Sequence, residues 1–387
     1  MKRATPILLV LIAVLAGGAV GLAAATLAPR SGPSPTGTGI AVAGGTPPPT
    51  AAPGTPGPSV EPTPSPSPTP APTPTLVPAP LDGVLVPVDV AARHPIAVMI
   101  DDLNAARPQS GLNAASVVWQ APAEGGIPRY MLLFQENIPG LVGPVRSSRY
   151  YFIAWASEVR AMYVHAGGSP QALSTLRAKG SGQYVYNADD FRYEGRYLWR
   201  IKTRFAPHNL YTDGAHLRKL ATVVHATDGP ITGAWTFAPD AALADRPTGG
   251  RIDVSYPYNK IRYDYDRNTN TYLRRVTGFL RQIDAADKKQ VAPKNVVIMF
   301  VSFGPLNDGH PNKKRLEANL IGKGAAWIAT NGKTIKGTWR KQSVTAPTLF
   351  FDSLGHPVTL TVGQTFVQVL QTGSKILIKD GVAPAAQ

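Results

Sequence analysis

Gly143-Pro-Val-Arg-Ser-Ser-Arg149 leads, one amphipathic segment later, into Tyr163-Val-His-Ala-Gly-Gly-Ser169. This stretch decides the fold class. Ser148 to Arg160 has helical spacing, with Tyr151, Ile153, Trp155 and Val159 available for packing. Ala161 to His165 reads as a strand. Ser169 is suited to a helix N-cap, Pro170 to the first turn and Gly180 to the stop. A strand, a glycine loop and a capped helix in succession predict an α/β layer. The same residues suggest chemistry. Arg146 and Arg149, three apart, would share one face of a helix. His165, Gly167, Gly168 and Ser169 would set backbone N–H groups at a helix start, and both devices favour an anion. A tight turn with a hydrogen-bonded His165 is the structural alternative.

Working outward, Ile96-Ala-Val-Met-Ile100 is a short apolar run ending in Asp101 and Asp102. Val117 to Gln120 and Tyr130 to Phe134 are further strands, separated by Glu124-Gly-Gly-Ile-Pro-Arg129. These elements predict an α/β domain over residues 83–250. Downstream the pattern turns β-rich. Ile261 to Tyr265, Thr271 to Arg275, Val296 to Phe303 and Thr365 to Leu370 read as strands, and Asn331-Gly332 marks a hairpin. They predict a second, smaller β-rich domain over residues 251–380.

Upstream, Lys2 and Arg3 precede an uncharged run from Ala4 to Pro29 whose interior is long and apolar enough to cross a bilayer. Residues 1–30 therefore read as a membrane anchor or, with small residues at Ala23-Ala24-Ala25, as a cleaved signal peptide. Residues 31–82 are rich in Pro, Thr and Ser. The run Pro62-Thr-Pro-Ser-Pro-Ser-Pro-Thr-Pro70 excludes helix and central strand, so an extended spacer reaching well over ~100 Å is expected. This order places the rest of the chain at the outer face of a cell membrane, or in the medium if the leader is removed.

The chain of 387 residues carries a formal net charge of +15, of which only +2 precedes Asp82. The folded part is thus strongly basic, which suits anionic partners or simply solubility. A location outside the cytoplasm argues against nucleic acid. With no cysteine there is no disulfide, thiolate nucleophile or Cys-type zinc site. No Walker, dinucleotide, nucleophile-elbow or His-Glu-x-x-His pattern occurs. Asp264, Asp266, Asn268 and Asn270 alternate as in a calcium loop. Thr269 stands where that loop needs glycine and Arg275 where it needs glutamate, so a polar hairpin turn is expected.

Several segments together resemble the domain of unknown function 3048 family of YerB-like lipoproteins. They are Ile96 to Asp102, Ala106-Arg-Pro-Gln-Ser-Gly-Leu112, Glu124 to Arg129, Gly143 to Arg149, Tyr163 to Ala172 and Ala206-Pro-His-Asn-Leu-Tyr211. Gly337-Thr-Trp339 and Gly363-Gln-Thr365 resemble that family's second domain. The resemblance covers about residues 83–375 and implies a two-domain extracytoplasmic protein of bacteria with no assigned activity. Lipoprotein members need a lipobox cysteine, which this chain lacks. A looser likeness, in the order strand-Asp, loop Arg, Pro-Val-Arg and Ala-Gly-Gly, is to LytR-CpsA-Psr phosphotransferases, which use arginines and an aspartate with Mg²⁺.

The candidate ligand-binding set is Arg107, Arg129, Arg146, Arg149, His165, Gly167, Gly168, Ser169, Arg204, His208 and Asn209. Arginines in glycine- and proline-rich loops can grip phosphate or carboxylate bidentately; scattered surface charge, ion-paired within the chain, is the plain alternative. Asp101 and Glu124 are the candidate catalytic carboxylates, and Asp101 with Asp102 the candidate metal pair, Mg²⁺ being the one cofactor they suggest. Turn capping and pairing with Arg107 is the structural alternative there. The leading expectation is a module binding an anionic envelope polymer, peptidoglycan or a lipid-linked precursor. An envelope enzyme, either phosphotransferase or glycan hydrolase, and a pure scaffold are the competing readings.

Overall fold

The computed structural model describes residues 75–137, 139–178 and 184–383. The apolar run, its candidate cleavage site, most of the proline-rich tract and Gly180 lie outside the described residues. Among those described, no helix is long and apolar enough to cross a membrane.

The first half of the chain contributes five strands to one large sheet: β1 (Ile96–Asp101), β2 (Val117–Pro122), β3 (Pro128–Phe134), β4 (Met162–His165) and β5 (Tyr186–Asp189). Its main helices are α1 (Tyr150–Ala156), α2 (Pro170–Ala178) and α3 (Gly214–Val223). In β1 every residue is buried, as expected of a strand covered on both faces. Alternation sends its side chains to opposite cores. Ala97 and Met99 join α1 and α2 on one face, while Ile96, Val98 and Ile100 join α3 on the other. Trp119 of β2 stacks on Trp155 of α1, with centroids 4.6 Å apart.

The second half adds β6 (Arg251–Tyr256), β7 (Asn259–Asp266) and β8 (Thr271–Val276), which form a five-stranded antiparallel sheet with Leu280–Arg281 and Leu377–Lys379 at its edges. The remaining strands are β9 (Asn295–Pro305), β10 (Leu316–Asn319), β11 (Gly322–Thr330), β12 (Lys333–Lys341), β13 (Leu349–Asp352) and β14 (Thr365–Gln371). These do not form a sheet of their own. β14 pairs in parallel with β2, Thr365 opposite Val117, and with β9 on its other side. The result is an eleven-stranded mixed sheet in the order β13-β12-β11-β9-β14-β2-β3-β1-β4-β5, with β10 hydrogen-bonded to β9. The molecule is sheet-rich with few helices.

Strands from both sides of residue 250 share the large sheet; among the described residues the five-stranded sheet and three two-stranded ones stand outside it. One expectation changes. Residues 75–82 are not linker: Leu76–Pro78 pairs with Leu85–Pro87, and Ala79, Leu81 and Asp82 are buried. Other local expectations hold. Ser169 Oγ accepts the Ala172 N–H at 3.2 Å, and Asn331 and Gly332 take φ of 50° and 72°, the paired positive values of a two-residue hairpin. Asp264 and Asp266 lie in β7, and residues 267–270 form the tip of the β7–β8 hairpin.

Candidate functional site

Asp101 ends β1 and lies opposite Arg129 of β3 in the strand register. Beyond the end of β4, the segment 143–146 takes over as the neighbour of β1. Asp101 N–H donates to Pro144 O at 3.1 Å and Arg146 N–H to Met99 O at 2.8 Å. Val145 N–H in turn donates to Leu210 O at 2.7 Å, which brings the 205–211 loop alongside. The site therefore sits at the carboxyl end of β1 and its parallel neighbour β4, where open sheets commonly bind ligands. The Arg107–Pro108, Gly143–Pro144 and Ala206–Pro207 bonds, all in this region, are cis.

Here Asp101, buried, holds two side chains, His208 and Arg146, with one oxygen. Oδ2 accepts from His208 Nδ1 at 2.7 Å and ion-pairs with Arg146 Nε at 2.8 Å, the latter off the line a hydrogen bond would take. Oδ1 accepts the Leu103 N–H at 3.0 Å. Among the described residues nothing accepts from the Nη groups of Arg146, and His208 Nε2 has no partner.

A second cluster adjoins it. Glu124, in the turn between β2 and β3, takes Arg129 Nη2 at 2.8 Å, takes Arg149 Nη2, and lies 3.9 Å from Arg315 Nε. Arg315 also pairs with Asp308 at 2.6 Å. Arg129 and Arg149 donate further to the carbonyls of Ser147 and Ser148. Burial, with some repulsion from Arg146, brings the Arg129 guanidinium down to about 10; burial, with Arg315, does the same to Arg149. Both stay cationic at neutral pH. Across the two clusters four arginines face three carboxylates, so the end of the sheet keeps a positive excess.

The other predicted residues take structural places. Arg146 and Arg149 do not share a helix face, because α1 begins only at Tyr150 and Arg149 is its extended N-cap residue. They serve different clusters. Arg107 binds Asp102 at 2.8 Å, Asn104 and Thr277. The glycine loop is closed by the protein itself: Gly167 N–H donates to the Asp189 carboxylate at 3.0 Å and Ser169 N–H to Ser148 O. A carboxylate thus stands where an incoming anion would. His165 is buried between Gly167 O and Asn187 Oδ1, both at 2.8 Å. Arg204 ties its loop to the carbonyls of Ala105 and Pro108, and Asn209 accepts from Arg200. Glu124, bound by arginines, is not placed as a free acid.

The donor set does not suit Mg²⁺. Asp102 is filled by Arg107, Gln109, Gln120 and Asn259, and Asp101 by Leu103, Arg146 and His208. Among the described residues no three His, Cys, Asp or Glu side chains gather as a metal site would require. Sequence reasoning missed Arg315, Asp308, Asp189 and Asn187, which reach the region from distant strands and loops and carry no local signal. A separate cavity of about 260 Å³, walled by Trp119, Trp155 and Trp235, includes none of the residues of either cluster.

Comparison with known proteins matches this architecture. The family model described as "Protein of unknown function (DUF3048) N-terminal domain" matches residues 81–227, and the one for its C-terminal domain matches residues 252–367. A protein named "Putative lipoprotein YerB" from Bacillus subtilis (strain 168) is 32% identical over 267 residues, covering 68% of this chain and 78% of that protein. The crystal structure of YerB from Bacillus subtilis superimposes with a TM-score of 0.69 at 27% identity, covering 78% of this chain and 99% of that one. With both halves matched in order, the chain belongs to the DUF3048 family of two-domain, YerB-like proteins.

Proposed function

We propose that this protein binds an anionic envelope glycan or lipid-linked precursor, one bearing phosphate or carboxylate, at the outer face of the cell membrane. The observation that carries the reading is the shared oxygen of Asp101. By gripping His208 Nδ1 and Arg146 Nε together, it fixes two donors while leaving His208 Nε2 and the Arg146 Nη groups outward. A guanidinium edge beside an imidazole suits a phosphoryl or carboxylate group. The buried arginines behind it raise the local potential without touching the ligand. The membrane location is supported by the name of the Bacillus relative, a lipoprotein, and by the charged-then-apolar start of this chain. With no cysteine to carry a lipid, the apolar run itself would be the anchor. Binding of purified envelope polymer to the full chain tests the reading. Arg146→Ala and His208→Ala should each weaken it roughly 10- to 100-fold, the worth of a charge-assisted hydrogen bond of ~1.5–3 kcal/mol. Unchanged affinity in both variants would end it.

The same pair supports a second reading, an envelope hydrolase. A carboxylate on Nδ1 orients an imidazole so that Nε2 takes a proton from water or a hydroxyl. In that case product formation from envelope glycan is lost with His208→Ala and kept with Glu124→Gln. The second variant separates this mechanism from a two-carboxylate one.

A further inference from the structure

Residues 190–208 border the site through the Phe205 carbonyl on His208 N–H, and their surface is unusual. Phe191 is 82% exposed and Phe205 is 92% exposed. Most apolar residues that reach solvent do so partly; whole phenylalanine rings held in water forgo the burial that normally stabilises them. Phe205 lies in the hairpin loop between Trp199–Arg200 and Leu210–Tyr211, and Phe191 in the helical turn Asp190–Tyr193. Arg200 ties the two together by pairing with Glu194 at 2.7 Å.

The charge around the rings is one-sided. Residues 190–208 carry Arg192, Arg196, Arg200, Lys202 and Arg204 against Glu194 and the buried Asp190, which lies 3.7 Å from Arg200. Arg192 and Arg196 lie over the rings of Tyr193 and Tyr197, and neither they nor Lys202 forms an ion pair among the described residues. Their charge is uncompensated. Half-buried Tyr193 and Trp199, residue types that favour the boundary between water and lipid, stand behind them.

We infer that this segment is a membrane-docking surface. Phe191 and Phe205 enter the interfacial layer of a bilayer while Arg192, Arg196 and Lys202 engage anionic headgroups. Single protruding rings flanked by cations fit this partner better than they fit another protein, which would call for a continuous apolar patch. The rings also flank the candidate site. Phe191 packs against Gly167, whose carbonyl is bonded to Ser148, and Phe205 is bonded through its own carbonyl to His208 N–H. Docking would bring Arg146 and His208 to headgroup level. The surface stands whether or not those two residues bind a glycan.

The test is a local probe in the full chain, so that any anchoring by the N-terminal run does not mask it. Phe205→Trp, read as the difference from wild type, is mixed with vesicles whose acyl chains are brominated. Phosphatidylglycerol vesicles should shift the added emission to the blue and quench it, by about twofold or more relative to phosphatidylcholine vesicles. Arg192→Glu with Arg196→Glu and Lys202→Glu should abolish that preference, whereas Lys333→Glu, at the exposed start of β12, should leave it intact. Absence of quenching on either vesicle, as expected if the partner is an acidic protein, would overturn the inference. Equal quenching on both would overturn the anionic-lipid assignment.

Discussion

Arg274 shows how much one buried side chain can organise. It is wholly buried, and its three nitrogens reach Tyr263 Oη at 2.9 Å, Tyr130 Oη at 3.1 Å and Gln120 Oε1 at 2.6 Å. Gln120 passes the contact on, donating from Nε2 to Asp102 Oδ2 at 2.6 Å. Burial disfavours the guanidinium charge, but the phenol groups and Asp102 hold its affinity for the proton above the ordinary arginine value. Arg274→Met should cost roughly 1–3 kcal/mol, because the buried acceptor of Gln120 loses its donor. Arg274→Lys should not restore it, since one ammonium cannot span three partners. The midpoint of urea unfolding reads both. This role was half legible. Tyr272, Arg274 and Val276 alternate onto one side of a strand, so a charge at an inward position is visible in the sequence. Its partners, two of them in the first half of the chain, are not.

Among the elements, β12 and β13 pair closely because Gly337 lets them. A Cβ at that position would lie 1.8 Å from the backbone oxygen of Phe351, which cannot move without breaking the pairing of Gly337 with Asp352. Gly337→Ala should therefore lower stability by roughly 1–3 kcal/mol, the usual range for forced overpacking, as a fall in the urea midpoint. The same substitution at Gly304, around which a Cβ would meet no atom within 4 Å, is the control. Strands such as β1, β3 and β14 could be read from their apolar runs, and the Asn331-Gly332 turn from its residue types, because those signals are local. Helix α1 was overextended in the sequence. Its apolar spacing continues to Val159, but the backbone tightens at Ser157 into a 3₁₀ turn.

At the scale of the whole molecule, the two halves are held by polar contacts as well as by the shared sheet. Lys341 of β12, buried, pairs with Glu158 beyond α1 at 2.7 Å. Asp284 accepts the N–H groups of Gly111 and Asn113. Asp82 accepts Gly363 N–H through its carbonyl, and its carboxyl lies buried beside Glu136. Burial first, then the neighbouring Glu136 carboxylate, pushes the Asp82 carboxyl up to about 8. The folded state thus prefers Asp82 protonated. The stability this contributes is full below the unfolded value near 3.8 and is lost as pH rises toward about 8. Wild type should therefore lose a few degrees of Tm, roughly, between pH 5 and pH 8. Asp82→Asn, which keeps an acceptor for the Val84 N–H without an ionisable proton, should flatten that slope. A slope unchanged by the substitution would assign the pH dependence elsewhere.

Local pattern along the chain was enough for most of the longer strands, the Asn331-Gly332 turn, the capped start of α2 and membership of a two-part family. Each rests on contacts between residues near one another in the chain, or on motifs that survive as text. It also singled out Asp101, Arg129, Arg146 and His208, which the fold brings near one another. Tertiary structure alone decided what each of these does. Parallel pairing of β14 with β2 joined strands of both halves in one sheet. The start of α1 at Tyr150 turned Arg149 toward Glu124 and left Arg146 with Asp101. An ionised group is satisfied by whichever opposite charge the fold brings within about 3 Å. That distance depends on strand register and loop path, which no spacing along the chain records.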